Sequence, residues 1–280
     1  MNSSNFYTLI TGASMGIGRA FAIESAKRDM NLALVSLPNS GLDKVIDYIR
    51  KNYQVKIKQL SIDLTENKAP LKIYEWTKHE NIKINILINN AGRGHLGNFL
   101  DYPYEFYEEL IRLNIESVVL LTRLFLPDMK KMEQSYILNL GSVASYYPMP
   151  YKIVYAGSKM FIYSFSRALS EELKNTNVHI SILCPGPILT SQEVIARIRY
   201  GGFWGKASSM KAQKVAYLAM KNMFKKKKVI IPGIINKLFI LSNKLFSTNF
   251  KQRIISKKFS IDKNNGKKDL SDKEIKKIKI

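Results

Sequence analysis

The chain has 280 residues, 46% of them hydrophobic, and carries 44 Lys and Arg against 22 Asp and Glu, a formal net charge of +22. That length suits one large α/β domain with a substantial core. The single Cys184 leaves no internal disulfide, the lack of a Cys/His cluster removes a structural zinc site, and no apolar run reaches the ~18 residues of a membrane-spanning helix.

The N-terminus, MNSSNFYTLITGAS, has neither a basic n-region nor a long apolar h-region, so no signal peptide is read and a reducing cytoplasm is the expected compartment. Phe6–Ile10 predicts a short strand. It runs into Thr11-Gly12-Ala13-Ser14-Met15-Gly16-Ile17-Gly18-Arg19 and then a helix to about Arg28. Gly12 allows a tight turn, Gly16 lets backbone N–H groups approach a pyrophosphate at the positive helix end, and Gly18 lets the helix pack closely on the sheet. Glycines at this spacing also occur in ordinary turns. Asn31–Ser36 predicts the second strand. An acid at its end would bind an adenosine ribose 2′-hydroxyl and repel a 2′-phosphate. Ser36, Leu37, Pro38, Asn39 and Ser40 offer neither acid nor base, so the missing acid alone favours NADP(H) over NAD(H).

Leu42–Asn52 reads as helix, Val55–Ile62 as the third strand with Asp63 and Leu64 after it, and Thr65–Glu80 as helix. Ile84–Ile88 is the fourth strand. It ends in Asn89, Asn90, Ala91 and Gly92, small residues that suit a backbone beside a flat cofactor. A long helix from about Pro103 to Met132 contains Asn114, where a solvated polar position is the ordinary expectation. Tyr136–Leu140 is apolar and β-prone, a buried strand ending at Gly141.

After Pro148 and Pro150 the pattern predicts a helix over Lys152–Lys174. Tyr155 and Lys159 stand at i and i+4 and share one helix face. Ser142, at the strand end, can face the start of that helix across the top of the sheet. A phenol with pKa near ~10 is a poor acid–base catalyst at neutral pH, and an ammonium one turn away favours the phenolate. A serine hydroxyl beside it can hold a carbonyl oxygen. The trio fits moving a proton at a carbonyl or alcohol oxygen. His79, His95 and His179 lie elsewhere in the chain, which removes a hydrolase triad.

Val178–Leu183 is the sixth strand, and Cys184 after it reads as a small core residue. Tyr200, Gly201, Gly202, Phe203 and Trp204 read either as a mobile lid over an apolar substrate or as a packed helix-loop. A helix over 211–224, a strand over Val229–Ile231 and Pro232-Gly233 close a domain at residue 232. The extension, 233–261, begins with a helical pattern. Ile234, Ile235, Leu238, Phe239, Leu241, Leu245 and Phe246 share a broad apolar face, Lys237, Lys244 and Lys251 lie opposite, and Ile240 is the exception. That face has three destinations: its own domain, a subunit contact, or a membrane interface. Residues 262–280 hold too few large apolar residues to pack and predict a disordered basic tail. Residues 221–280 carry 18 Lys and Arg against 4 Asp and Glu, a net of +14. This excess reads as solvated surface or as affinity for anionic membranes, with no specific nucleic-acid site.

TGASMGIG at 11–18, Asp63, NNAG at 89–92, Asn114, Ser142, YAGSK at 155–159 and PGPILT at 185–190 together resemble the short-chain dehydrogenase/reductase family. The resemblance covers roughly residues 5–232. It implies an α/β, three-layer, doubly wound Rossmann sheet, an NAD(P) cofactor, and a hydride passed between that cofactor and a small-molecule carbonyl or secondary alcohol. By resemblance Tyr155 is the general acid in reduction and the base in oxidation. Lys159 lowers its pKa and holds the nicotinamide ribose, Ser142 orients the carbonyl, and Asn114 holds a water that relays protons to Lys159. Cofactor contacts are implied for Gly12, Ser14, Met15, Gly16, Ile17, Gly18, Ser36, Asp63 with Leu64 near the adenine, Asn90, Ala91, Gly92, Pro185, Gly186, Ile188 and Thr190. Many NADP-dependent members carry Arg where Leu37 stands here. VIIPG at 229–233 and the tail resemble the branch that reduces lipophilic ketones such as steroids or acyl groups, and members are often homodimers or homotetramers. The competing reading is a non-catalytic protein on the same fold that senses nucleotide or docks on anionic surfaces; Ser142, Tyr155 and Lys159 argue against it.

Overall fold

The structure, a computed structural model, describes residues 6–189 and 208–241. Its core strands are apolar on both faces, which commits them to a sheet covered on both sides. They are β1 (Phe6–Thr11), β2 (Asn31–Ser36), β3 (Ile57–Ser61), β4 (Lys83–Asn89), β5 (Ser135–Leu140), β6 (Val178–Leu183) and, after two short strands, β9 (Val229–Ile230). They pair in parallel in the order β3-β2-β1-β4-β5-β6-β9. Leu9 of β1 sits between Ala33 of β2 and Leu87 of β4. β2 is buried along its whole length, whereas β3, at the edge, is only partly covered. The chain leaves β1 for β2 on one side and returns to β4 on the other. A crevice therefore opens between the carboxyl ends of β1 and β4, where such sheets bind ligands.

Helices α1 (Gly16–Ala26), α2 (Leu42–Asn52) and α7 (Ala212–Phe224) cover one face, packing Phe21, Ile49 and Met220 against Leu32, Leu34 and Leu138. Helices α3 (Ala69–His79), α5 (Ser117–Met129) and α6 (Ile153–Glu172) cover the other, where Ile73, Leu121, Phe125 and Leu169 pack on Leu9, Leu87 and Ile137. This is the expected doubly wound, three-layer α/β architecture. The short β7 (Ile188–Leu189) and β8 (Met210–Lys211) pair with each other outside the main sheet.

Three local differences from expectation have physical causes. β3 is shorter than 55–62, and α3 begins at Ala69 instead of Thr65. The Asp63 carboxylate accepts from the Thr65 N–H and hydroxyl at 2.8 Å each, Lys68 turns at φ +59°, and Pro70 starts the helix in its first turn. The predicted helix over Pro103–Met132 is interrupted. α4 (Tyr104–Ile111) passes through a π turn, Arg112–Glu116, into α5. The C-terminal helix α8 (Ile234–Leu241) buries Asn236 and turns Ile234, Leu238 and Leu241 outward, at 74%, 59% and 60% exposure. Its apolar face is thus largely uncovered, and Ile240, the exception in the pattern, is half-buried. The lid expected at Tyr200–Trp204, Thr190, the continuation of the face at Leu245 and Phe246 with Lys244 and Lys251, and the tail 262–280 lie outside the described residues.

Candidate active site

The loop after β1 is built around glycines. Gly12 and Gly16 take positive φ, +65° and +57°. A Cβ on Gly18 would lie 2.0 Å from the Gly12 carbonyl oxygen, so only hydrogen fits there. Met15 begins α1 in extended conformation without a side-chain cap, and the first turn holds no acid. The helix N-terminus is thus open to an anion, as a pyrophosphate requires. Ser14 is half-buried, Met15 exposed, and Ile17 packs on the core.

The ends of β1 and β4 are bolted together. The Asn90 amide donates to the Thr11 and Gly12 carbonyls at 2.8 and 3.1 Å, and the Thr11 hydroxyl accepts from the Asn90 and Ala91 N–H groups at 3.0 Å each. Thr11, counted only as part of the glycine motif, is therefore a hinge pin of the crevice. Ser36 ends β2 buried and accepts from the Ser40 hydroxyl at 3.0 Å, while Leu37 is exposed. No charged side chain occupies 36–40. Asp63 is half-buried at the end of β3, and Leu64 belongs to the core.

Ser142 opens a 3-10 turn, Val143–Tyr146, and its hydroxyl accepts from the Ala144 N–H at 3.1 Å. The same side chain is hydrogen-bonded to the Tyr155 phenol. The Ser145 hydroxyl accepts from the Ser142 N–H at 3.2 Å and donates to the Lys159 carbonyl at 2.8 Å, which fixes the turn to α6. Lys159 is 6% exposed. Its Nζ donates to the Leu140 carbonyl at 2.8 Å and lies 5.9 Å from the centre of the Tyr155 ring. Glycine backbone leaves room beside the trio. A Cβ on Gly92 would stand 3.4 Å from Lys159 Nζ, and one on Gly94 would stand 3.6 Å from the Tyr155 ring.

Burial sets the charge states. It depresses the Lys159 ammonium from 10.5 to about 8. It raises the Tyr155 phenol above its usual value, with the Ser142 hydrogen bond opposing. The lowering of Tyr155 expected from Lys159 is not the net result in this geometry, because Nζ is turned to the Leu140 carbonyl and desolvation dominates.

Asn114 departs most from expectation. It is 0% exposed, inside the π turn. Its Oδ1 accepts from the Arg93 N–H at 2.9 Å, and its Nδ2 donates to the Arg93 carbonyl at 2.9 Å and to the Ser158 hydroxyl at 3.2 Å. It clamps the loop that carries Gly92 and Gly94. Gly94 and Ser158 were not singled out by sequence; both sit inside the quoted motif neighbourhoods, and that adjacency was their only signal. His95 packs edge-on against Tyr102, Phe106 and Tyr107. Pro185 accepts from the Val143 N–H at 3.0 Å, so the loop after β6, with Gly186 and Ile188, borders the Ser142 turn. Cys184 is fully buried, and burial pushes its thiol up to about 12, which makes it inert core.

The profile of the short chain dehydrogenases matches residues 7–197. The chain is 34% identical over 197 residues to the very-long-chain 3-oxoacyl-CoA reductase of Anas platyrhynchos, and 35% identical over 198 residues to the 17-beta-hydroxysteroid dehydrogenase type 3 of Homo sapiens. Both alignments cover 68% of this chain and 62% of the relative's length. A short-chain dehydrogenase from Sphingobium yanoikuyae, solved in complex with NADPH, superposes with a TM-score of 0.71 at 28% identity, over 82% of this chain and 88% of that one. One from Burkholderia phymatum, solved in complex with NAD, superposes with a TM-score of 0.75 at 23% identity, over 88% and 94%, and shares the fold. The chain belongs to the short-chain dehydrogenase family, and its parallel sheet is that family's NAD(P)-binding Rossmann fold.

The depressed Lys159 has a measurable signature. Between pH 8 and 10.5 the unfolded chain holds a proton that the folded chain has released, so this group's contribution to stability grows as pH rises through that window. Below the folded value both states hold the proton and the full cost of burying the ammonium is present. In urea melts the wild type should gain stability relative to Lys159→Met over that range. A difference that stays flat with pH removes the assignment.

Proposed function

We propose that this chain is an NAD(P)-dependent oxidoreductase that interconverts a lipophilic ketone, steroid-like or acyl, and its secondary alcohol. The observation that carries the reading is the Ser142–Tyr155 hydrogen bond on a buried Lys159, faced by side-chain-free backbone at Gly92 and Gly94. The residues fit a nicotinamide dinucleotide: the glycine loop and uncapped α1 for its pyrophosphate, Ser36, Asp63 and Leu64 at the adenosine end, and Asn90, Ala91, Gly92 and the Pro185–Ile188 loop along the nicotinamide half. When bound, that cofactor supplies or accepts the hydride.

The protein's own part is proton handling and orientation. Ser142 and Tyr155 aim two hydroxyls at one place, which fixes a carbonyl oxygen there. Tyr155, raised by burial, stays protonated at neutral pH and gives its phenolic proton to that oxygen in reduction; in oxidation it takes one back. Lys159 would hold the nicotinamide ribose and supplies positive charge below pH about 8. The Asn114 side chain is committed to Arg93 and Ser158 and holds the loop that carries Gly92 and Gly94 beside the trio. The names of the relatives, a long-chain 3-oxoacyl-CoA reductase and a hydroxysteroid dehydrogenase, support the lipophilic class.

Three finer assignments belong to the same reading. NADP(H) is preferred, supported by the absence of an acid at 36–40. The protein is a homodimer or homotetramer, supported by the apolar side chains that α5 and α6 expose at Leu120, Met160 and Phe161. It touches membranes peripherally, through the outward stripe of Ile234, Leu238 and Leu241 on α8, with Lys237 exposed on the same helix. No helix among the described residues is long and apolar enough to cross a membrane.

Tyr155→Phe should leave NADPH affinity nearly intact and lower kcat for ketone reduction by ~10²–10⁴; turnover equal to wild type across a panel of lipophilic ketones refutes the assignment. Titration should show tighter NADPH than NADH, and Leu37→Asp, at an exposed position, should weaken NADPH alone. A wild-type preference for NADH overturns the choice. In the ultracentrifuge the full chain should run as a dimer or tetramer and should sediment with anionic but not neutral vesicles. A monomer, or negligible sedimentation with both vesicle types, overturns the respective assignment.

A further inference from the structure

Helix α8 meets the catalytic end of the sheet at two polar points. Tyr147, immediately after the turn that Ser142 opens, donates its hydroxyl proton to the Phe239 carbonyl at 2.7 Å, and the two rings lie 5.0 Å apart. One turn earlier on α8 stands Asn236, 3% exposed. Its Nδ2 donates to the Pro232 carbonyl at 2.9 Å and to the Ser208 carbonyl at 3.2 Å.

Two glycines make room for this amide. A Cβ on Gly186 would lie 2.4 Å from Asn236 Oδ1 and 2.7 Å from Nδ2, and one on Gly233 would lie 3.2 Å from Nδ2. A slot of this size could be filled by leucine, which carries no desolvation cost. A buried amide is tolerated only where its donors are met, and here they are met by carbonyls from two different segments. Asn236 therefore joins three stretches of chain: the loop after β6 at Gly186, the residues before β8 at Ser208, and the exit from β9 at Pro232. The first of these borders the Ser142 turn through the Pro185 carbonyl and the Val143 N–H, 3.0 Å apart, and the second pairs with it through Ile188 and Met210.

We infer that Asn236, with Tyr147 as its second anchor, is a positioning residue: it fixes the Pro185–Ile188 loop and the Ser142 turn relative to each other, so that the nicotinamide end of the cofactor and the substrate carbonyl meet in register. This rests on the oxidoreductase reading above. Asn236 acts on that loop through its packing at Gly186 and through its bond to Ser208, just ahead of the Met210–Ile188 pairing, and its hydrogen bonds reach none of the catalytic trio. The effect belongs in cofactor affinity and turnover, and not in substrate affinity.

Asn236→Leu keeps the bulk and removes both donors. NADPH affinity, read by quenching of protein fluorescence, should weaken about fivefold or more, the size a lost hydrogen bond carries. The kcat should fall with it, while the ketone KM holds. A merely structural role would lower the urea midpoint and leave NADPH affinity and kcat of the folded fraction at wild-type values; that outcome overturns the proposal. Tyr147→Phe keeps the ring and loses only the bond to Phe239, so it serves if the first variant does not fold. It should show the same split in smaller measure, and wild-type affinity and kcat there likewise overturn the proposal. A wild-type protein that binds neither NADPH nor NADH defeats the oxidoreductase reading itself, and this inference with it.

Discussion

An ammonium group taken out of water must be met on the spot, and the top of this sheet is arranged around that requirement. Lys159 sits almost wholly buried with its Nζ on the Leu140 carbonyl, at the end of β5. That bond ties α6 to the strand that delivers Ser142. The Ser145 hydroxyl repeats the tie from the turn to the Lys159 carbonyl. Gly92 keeps the space over Nζ open, and Asn114 holds the loop that carries Gly92. Of these contacts the Leu140 carbonyl is the one that meets the charge, which a low-dielectric interior would not leave unsatisfied, and the others hold its surroundings in place.

A second polar layer lies beneath. Asn89, Asn139 and Ser166, all buried, form a chain: Asn89 donates to Asn139 at 2.8 Å, and Asn139 donates to the Ser166 hydroxyl at 2.9 Å. These bonds cross from β4 through β5 to α6. They couple the strand that ends in the NNAG loop to the helix that carries Tyr155 and Lys159, within a sheet otherwise filled by Leu and Ile. Polar groups buried in such a setting favour one register over its neighbours, since a slip would orphan them.

Most of the architecture was legible because it depends on local signals. Runs such as Leu32–Val35 and Tyr136–Leu138 are too apolar for anything but an interior strand, and Gly12, Gly16 and Gly18 stand where backbone must approach backbone. Other features depend on partners far away in sequence. Arg112–Glu116 reads as ordinary helix, since nothing in RLNIE announces a π turn; the partners of Asn114 within it, Arg93 and Ser158, lie 21 and 44 residues away in sequence. The tail pattern showed that α8 is amphipathic without showing which face docks. The docked side is the one that carries Asn236, with Ile235 and Ile240 half-buried beside it and Phe239 against Tyr147, and Gly186 and Gly233 open a slot there that fits an amide. The lysine excess was likewise visible only as a sum. Lys225–Lys228 precede β9, on the side of the sheet away from the site, and Lys228 pairs with Glu171 at 2.7 Å, so this part of the charge does not line the crevice.

The π turn also bears on how such a site is gained or lost over generations. A turn of this kind holds one residue more than the helix around it needs. Deleting one codon between positions 111 and 117 would restore an unbroken helix with α4 and α5 still seated on the same neighbours. What would vanish is the inward bulge that carries Asn114, and with it the grip on Arg93. The fold should therefore outlast a one-residue deletion that dismantles the loop beside Tyr155, which makes the scaffold and its candidate site separable by a single genetic event.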